Sequence, residues 1–191
     1  MARLNMPPSN ALTPAQEEAI GEVVAGKRGR VPTPMIAWLR NPGLATSAQK
    51  LGELLRFETS LNPEHTEIAV LVCARHWTTH VEWNAHKALA LEAGVKPEVI
   101  EAIARRETPH FDDSIDELVY TLSTALLQTG RLTSQQYEGG IQMLDEKGMV
   151  ELVATLGYYC LVSLTLNSFE LGLPSNIAPD LADPAYTSAG S

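Results

Sequence analysis

The 191-residue chain is poor in cysteine, in aromatics and in positive charge. Its two cysteines, Cys73 and Cys160, each sit inside an apolar run, far too few for a disulfide framework. They read as buried free thiols, as expected of a protein in a reducing, cytoplasmic setting. Fourteen lysines and arginines face 23 aspartates and glutamates, for a net charge of -9. That balance excludes nucleic acid as a partner, because phosphate binding needs a basic footprint. The one basic cluster, Lys27-Arg28-Gly29-Arg30, reads as a solvated loop, with an anion site as the lesser alternative.

Signal-peptide anatomy is missing from Met1 to Asn10, and no glycine-rich phosphate loop or internal repeat appears. One uncharged stretch, Leu152 to Phe169, is long enough to cross a bilayer. It carries Thr155, Ser163, Thr165, Asn167 and Ser168 and has no basic flanks, so it reads as the centre of a globular core or an oligomer interface. No membrane is expected.

Strand alternation is also absent, and helical signals fill the gap. Thr13-Pro14-Ala15-Gln16 and Thr133-Ser134-Gln135-Gln136 are capping boxes. The first opens a helix to Ala25 and the second a helix to about Lys147, with Gly148 as punctuation before a last helix over Val150 to Phe169. Between them the pattern predicts a short helix near Met35 to Arg40, a break at Asn41-Pro42-Gly43, and a helix over Leu44 to Thr59. An Asn62-capped helix then runs to Trp77, and another starts at Thr78 or Thr79 and ends at Gly94. A short helix ends near Arg105, and one from Asp112 to Gln128 is closed by Gly130. The expectation is a single all-α domain of seven or eight helices, with an N-terminal extension over 1–40 and an irregular tail over 174–191.

Chemistry concentrates between Glu67 and His86. Glu67 borders the apolar run Ile68 to Ala74, while Glu82 and His86 are four apart and share a helix face. Two carboxylates and an imidazole converging in an apolar setting shift one another's proton affinity, which is how acid/base sites are built. The plain alternative is a surface helix pair at 82/86 and a first-turn glutamate at 67.

The pattern Glu67-Ile-Ala-Val-Leu-Val, Glu82-Trp83-Asn84-Ala85-His86, Ala93-Gly94 and Pro97-Glu98-Val99-Ile100 resembles the core motif of the carboxymuconolactone decarboxylase family, within the alkylhydroperoxidase D-like superfamily. The likeness covers roughly Leu44 to Ala104. It implies that superfamily's helical bundle, a trimer or hexamer, and a cofactor-free, metal-free site of Glu67, Glu82 and His86 acting on a small organic acid or lactone. The superfamily's peroxidase branch carries a Cys-x-x-Cys pair where this chain has Thr79 and Glu82, so peroxidase chemistry of that type is not expected. Cys73 lies in the wrong register and Cys160 far along the chain. Peroxide reduction and a non-catalytic oligomeric binding protein remain the rival readings.

Four further residues are candidate substrate contacts: Thr79, His80, Arg75 and Trp83. His80 is otherwise a helix-start residue, Arg75 a structural ion-pair partner, and Trp83 a core residue. Arg40 and Arg56 are alternative anion binders. A metal site from His76, His80, Glu82 and His86 is conceivable but would be spoiled by a helix break near Thr78. His65 and His110 read as surface or loop residues.

Overall fold

A computed structural model describes residues 2–183. It contains eight α-helices and, among the described residues, no strand. They are α1 (Pro14–Ala25), α2 (Met35–Trp38), α3 (Pro42–Phe57), α4 (Pro63–Trp77), α5 (His80–Ala93), α6 (Pro97–Arg105), α7 (Ser114–Thr129) and α8 (Ser134–Ser168), preceded by one 3-10 turn at Ser9–Ala11.

α4 is the axis of the bundle. Every residue from His65 to Arg75 is buried, because α5, α7 and α8 pack around it and α6 closes one end. A helix enclosed on all sides must be apolar all round, which explains the unbroken run Ile68 to Ala74. The polar residues on it therefore need partners inside the protein. His65, expected at the surface, is one such residue. It is 8% exposed and its ring faces Asp116 of α7 at 3.4 Å.

Both capping boxes form as the sequence indicates. One boundary differs, and two caps lack their side-chain bond. Asn41-Pro42-Gly43 is the first turn of α3 rather than a break, with the Asn41 side chain accepting from the Leu44 amide. Asn62 and Thr79 occupy the N-cap positions of α4 and α5, yet neither side chain makes a capping bond. At α4 the proline at the first helical position removes one orphan N–H and fixes the backbone instead.

The break foreseen at Gly148 lies at Asp145, the only non-helical residue inside α8 (φ 59°, ψ -179°). Its carboxylate accepts from the Gly148 amide at 2.9 Å, so Asp145 both ends one helical segment and caps the next. Beyond the kink, α8 sends Leu152, Leu156, Tyr159, Val162 and Leu166 into the core. Just over half (56%) of its most apolar window is buried against this chain.

The N-terminal segment is pinned to the end of α8. The Arg3 amide donates to the Phe169 carbonyl, and Arg3 pairs with Glu170 at 2.6 Å. After α8 the backbone is irregular, as expected, yet it is not loose. Leu171, Leu173 and Leu181 are buried, and Lys87 of α5 pairs with Asp180. The last part of the expected tail, 184–191, lies outside the described residues.

Candidate active site

α4 and α5 form an antiparallel hairpin joined by only Thr78 and Thr79. Thr78 takes a left-handed conformation (φ 49°) and its amide closes the end of α4. This tight reversal lays the first turns of α5 beside the last turns of α4. It sets Glu82 and His86 against the run that begins at Glu67.

The three side chains meet. His86 Nδ1 lies 2.6 Å from Glu67 Oε2, and His86 Nε2 lies 3.3 Å from Glu82 Oε2. All are buried, in the order His86 (3% exposed), Glu67 (6%) and Glu82 (9%). The ring of Tyr159, from α8, packs edge-on against the imidazole at 4.9 Å. The cluster is thus a linear relay, carboxylate–imidazole–carboxylate, with its outer end at Glu82.

Burial alone would strip the proton from His86. Glu67 first and Glu82 second outweigh that effect, and the imidazole is pushed up to about 9. At neutral pH the ring is an imidazolium donating from both nitrogens, most tightly to Glu67. The looser bond to Glu82 is the one through which a proton can leave. The same electrostatics push the Tyr159 phenol well above its ordinary range, through burial and then the two carboxylates, so it stays neutral.

The other sequence candidates are scattered around this relay. Trp83 is 1% exposed and belongs to the core. Thr79 is equally buried and its hydroxyl has no hydrogen-bond partner. His80 starts α5, is buried, and faces Asp183 of the C-terminal segment at 3.3 Å. Arg75 is held structurally, donating to the Ala104 carbonyl at 2.7 Å and to the Thr78 hydroxyl at 2.9 Å. Arg40 donates to the carbonyls of Ile36 and Asn5. His110 is a loop residue with a 93% exposed side chain.

The helix break at Thr78 and Thr79 puts His76 and His80 on different helices, so the four-residue metal pattern does not form on one face. A different trio, His65, Asp113 and Asp116, brings its ligand atoms within 4.8 Å of one another. Burial, reinforced by Glu64 and Asp113, pushes the Asp116 carboxyl up to about 6. His65, whose own proton affinity is lowered by burial, stands 3.4 Å from that carboxyl without a hydrogen bond to it.

Two features were invisible in the sequence. Tyr159 sits in an uncharged helix with nothing to single it out from core aromatics. The sulfurs of Cys73 and Cys160, 87 residues apart, lie 3.8 Å from each other because α8 crosses α4. Cys160 is partly exposed and accepts from the Trp77 indole at 3.3 Å. Its thiol falls to about 6, chiefly through the hydrogen bond from Cys73 and with help from the indole, against burial. Cys73 is pushed up in turn by Cys160 and by burial.

No model of a known protein family matches the chain, and no curated protein sequence matches it.

The His86 relay sets a pH signature. A histidine held at about 9 against 6.5 when unfolded contributes stability that is complete below pH 6.5 and lost as pH rises through 9. The span corresponds to on the order of 3 kcal/mol. Urea unfolding of wild type is expected to show this decline between pH 6.5 and 9.5, and Glu67→Gln to flatten it. Equal pH slopes for the two proteins would contradict the relay.

Proposed function

We propose that the protein is a cofactor-free acid/base enzyme of the carboxymuconolactone decarboxylase kind, acting on a small unsaturated organic acid or lactone. The observation that carries this reading is the buried Glu67–His86–Glu82 relay. A scaffold with no catalysis is expected to leave these side chains exposed or apart.

The relay suits enolate chemistry. Loss of CO2 from an unsaturated lactone acid sends an electron pair into a conjugated enolate, whose oxygen needs a hydrogen-bond donor. A proton must then reach carbon. The His86 imidazolium supplies charge and proton. Glu82, the least buried of the three, passes the proton to the substrate, and Glu67 fixes the ring and holds it charged. Lactone acids of the carboxymuconolactone type, followed by ultraviolet absorbance and CO2 release, provide the assay. His86→Gln and Glu82→Gln are expected to lower turnover by about 10²–10⁴-fold. Undiminished turnover in both would defeat the assignment.

A second reading draws on the two sulfurs. In a thiol peroxidase, the Cys160 thiolate would attack a hydroperoxide, releasing the alcohol and forming a sulfenic acid. Cys73 would then displace water to give a Cys73–Cys160 disulfide. One hydroperoxide is reduced as two thiols are oxidised. Mild peroxide treatment followed by intact-mass measurement tests it. Loss of two hydrogens, abolished in Cys160→Ser, supports the reading, and two alkylatable thiols after treatment exclude it.

Assembly follows from α8. Val150, Val153, Leu161 and Leu164 form an exposed apolar stripe, and Leu44, Leu51 and Leu54 add exposed leucines on α3. Exposed apolar stripes of this kind mark interaction surfaces, and a second copy of this chain is the proposed cover. Light scattering at micromolar concentration is expected to give a trimer or hexamer, and Val153→Glu with Leu164→Glu to reduce it. A wild-type monomer would count against assembly.

A further inference from the structure

The basic tetrad at 27–30 is more than a solvated loop. α1 ends at Gly26, and Gly29 (φ 65°) turns the chain so that Arg28 comes to lie against α3 and α8. There α3 presents Gly52. A Cβ at that position would collide with the Tyr158 hydroxyl and stand 2.8 Å from Arg28 Nη2. The missing side chain is the space that the guanidinium and phenol occupy.

This corner holds polar groups without acceptors. Arg28 Nε and Nη2 are both buried and unbonded. So are the hydroxyl of Tyr158, a residue only 3% exposed, and, one turn back on α3, Gln49 Nε2. Nε and Nη2 form one edge of the guanidinium, the edge whose parallel N–H bonds fit a carboxylate. A buried charged donor with only a neutral phenol beside it is costly, so an anion brought to this edge would be stabilised.

A cavity of about 240 Å³ opens beside it, lined by Lys27, Arg28, Arg30, Pro32, Arg56 and Phe57. The lining contains four cationic side chains and no carboxylate, in a protein of net charge -9. Lys27 is neutralised by Glu58 at 2.8 Å, and the Arg56 guanidinium stacks 5.3 Å over the Phe57 ring. The volume is below the roughly 300–1,000 Å³ of sites for drug-sized ligands, which favours a small acid over a nucleotide.

Two core rings link the Arg28 corner to the acid/base cluster. Tyr158 packs edge-on against Tyr159 at 5.3 Å, and Tyr159 against His86. Arg28 and Arg56 on one side, and Glu82 on the other, all act electrostatically on both tyrosines.

We propose that this pocket is the carboxylate subsite of the protein, in which Arg28 and Arg56 grip the acid group of a small organic acid. The inference rests on the acid/base reading above for its substrate. Rotation of Arg28 about its outer torsions turns its bare edge to the cavity. Arg56, which lines the same cavity, closes over the second oxygen.

Calorimetric titration of the full-length protein with succinate, maleate and inorganic phosphate tests the proposal without requiring turnover. A dicarboxylate is expected to bind at least tenfold more tightly than phosphate. Its affinity should weaken with salt, and Arg28→Gln and Arg56→Gln should each lose tenfold or more. Lys50→Gln, outside the cavity, should bind as wild type does, and His86→Gln should bind normally while losing turnover. Dicarboxylate binding unaffected by both arginine substitutions, no binding at all, or a preference for phosphate would each overturn the subsite. Should Arg28→Gln unfold the protein, Arg28→Lys substitutes, keeping the charge but losing the fork, with the same tenfold loss expected. Binding with no turnover of any lactone acid would remove the enzyme reading and leave the pocket standing. Turnover with unchanged KM in both arginine variants would do the reverse.

Discussion

An imidazole enclosed by two carboxylates is the constraint around which this molecule is organised. Removing those groups from water is costly, and the hydrogen bonds from His86 to Glu67 and Glu82 offset the cost only while all three stay in register. That requirement explains the architecture nearby. α4 must be enclosed so that Glu67 stays dry, α5 must run back along it without slack, and α8 must bring a neutral aromatic ring rather than another charge against the imidazole. The apolar packing and the proton chemistry are thus the same set of contacts seen from two sides.

Much of this was legible in the residues. Capping boxes at Thr13 and Thr133, terminal glycines at 94 and 130 and the helical periodicity between them act locally, so the chain announces them without its tertiary context. Glu82 and His86 share a helix face by spacing alone. Glu67 required more, since only the resemblance to a family motif tied it to a helix fifteen residues on. Two of the expected caps form without their side-chain bond. Asn62 and Thr79 have capping chemistry, but Pro63 at one and burial at the other replace the side-chain bond. His65 looked like a surface residue because nothing local indicates that α7 will cover it.

What stayed hidden depends on contacts between distant segments. Cys73 and Cys160 are each unremarkable apolar-run cysteines, and their 3.8 Å approach is a property of the α4/α8 crossing. Arg28 sits in a basic tetrad that resembles many exposed turns. What distinguishes it is Gly52, a residue with no side chain, on a different helix. Sequence reading assigns roles from what a residue carries, and this position matters for what it omits.

The junction between α4 and α5 has a further consequence. Glu67 and His86 are 19 positions apart, and only Thr78 and Thr79 separate their helices. Each residue in a helix advances the facing direction by about 100°. The link therefore works as a gauge block, since one more or one fewer residue would swing the imidazole round to another side of the bundle. Over this stretch the chain cannot change in length without moving the imidazole.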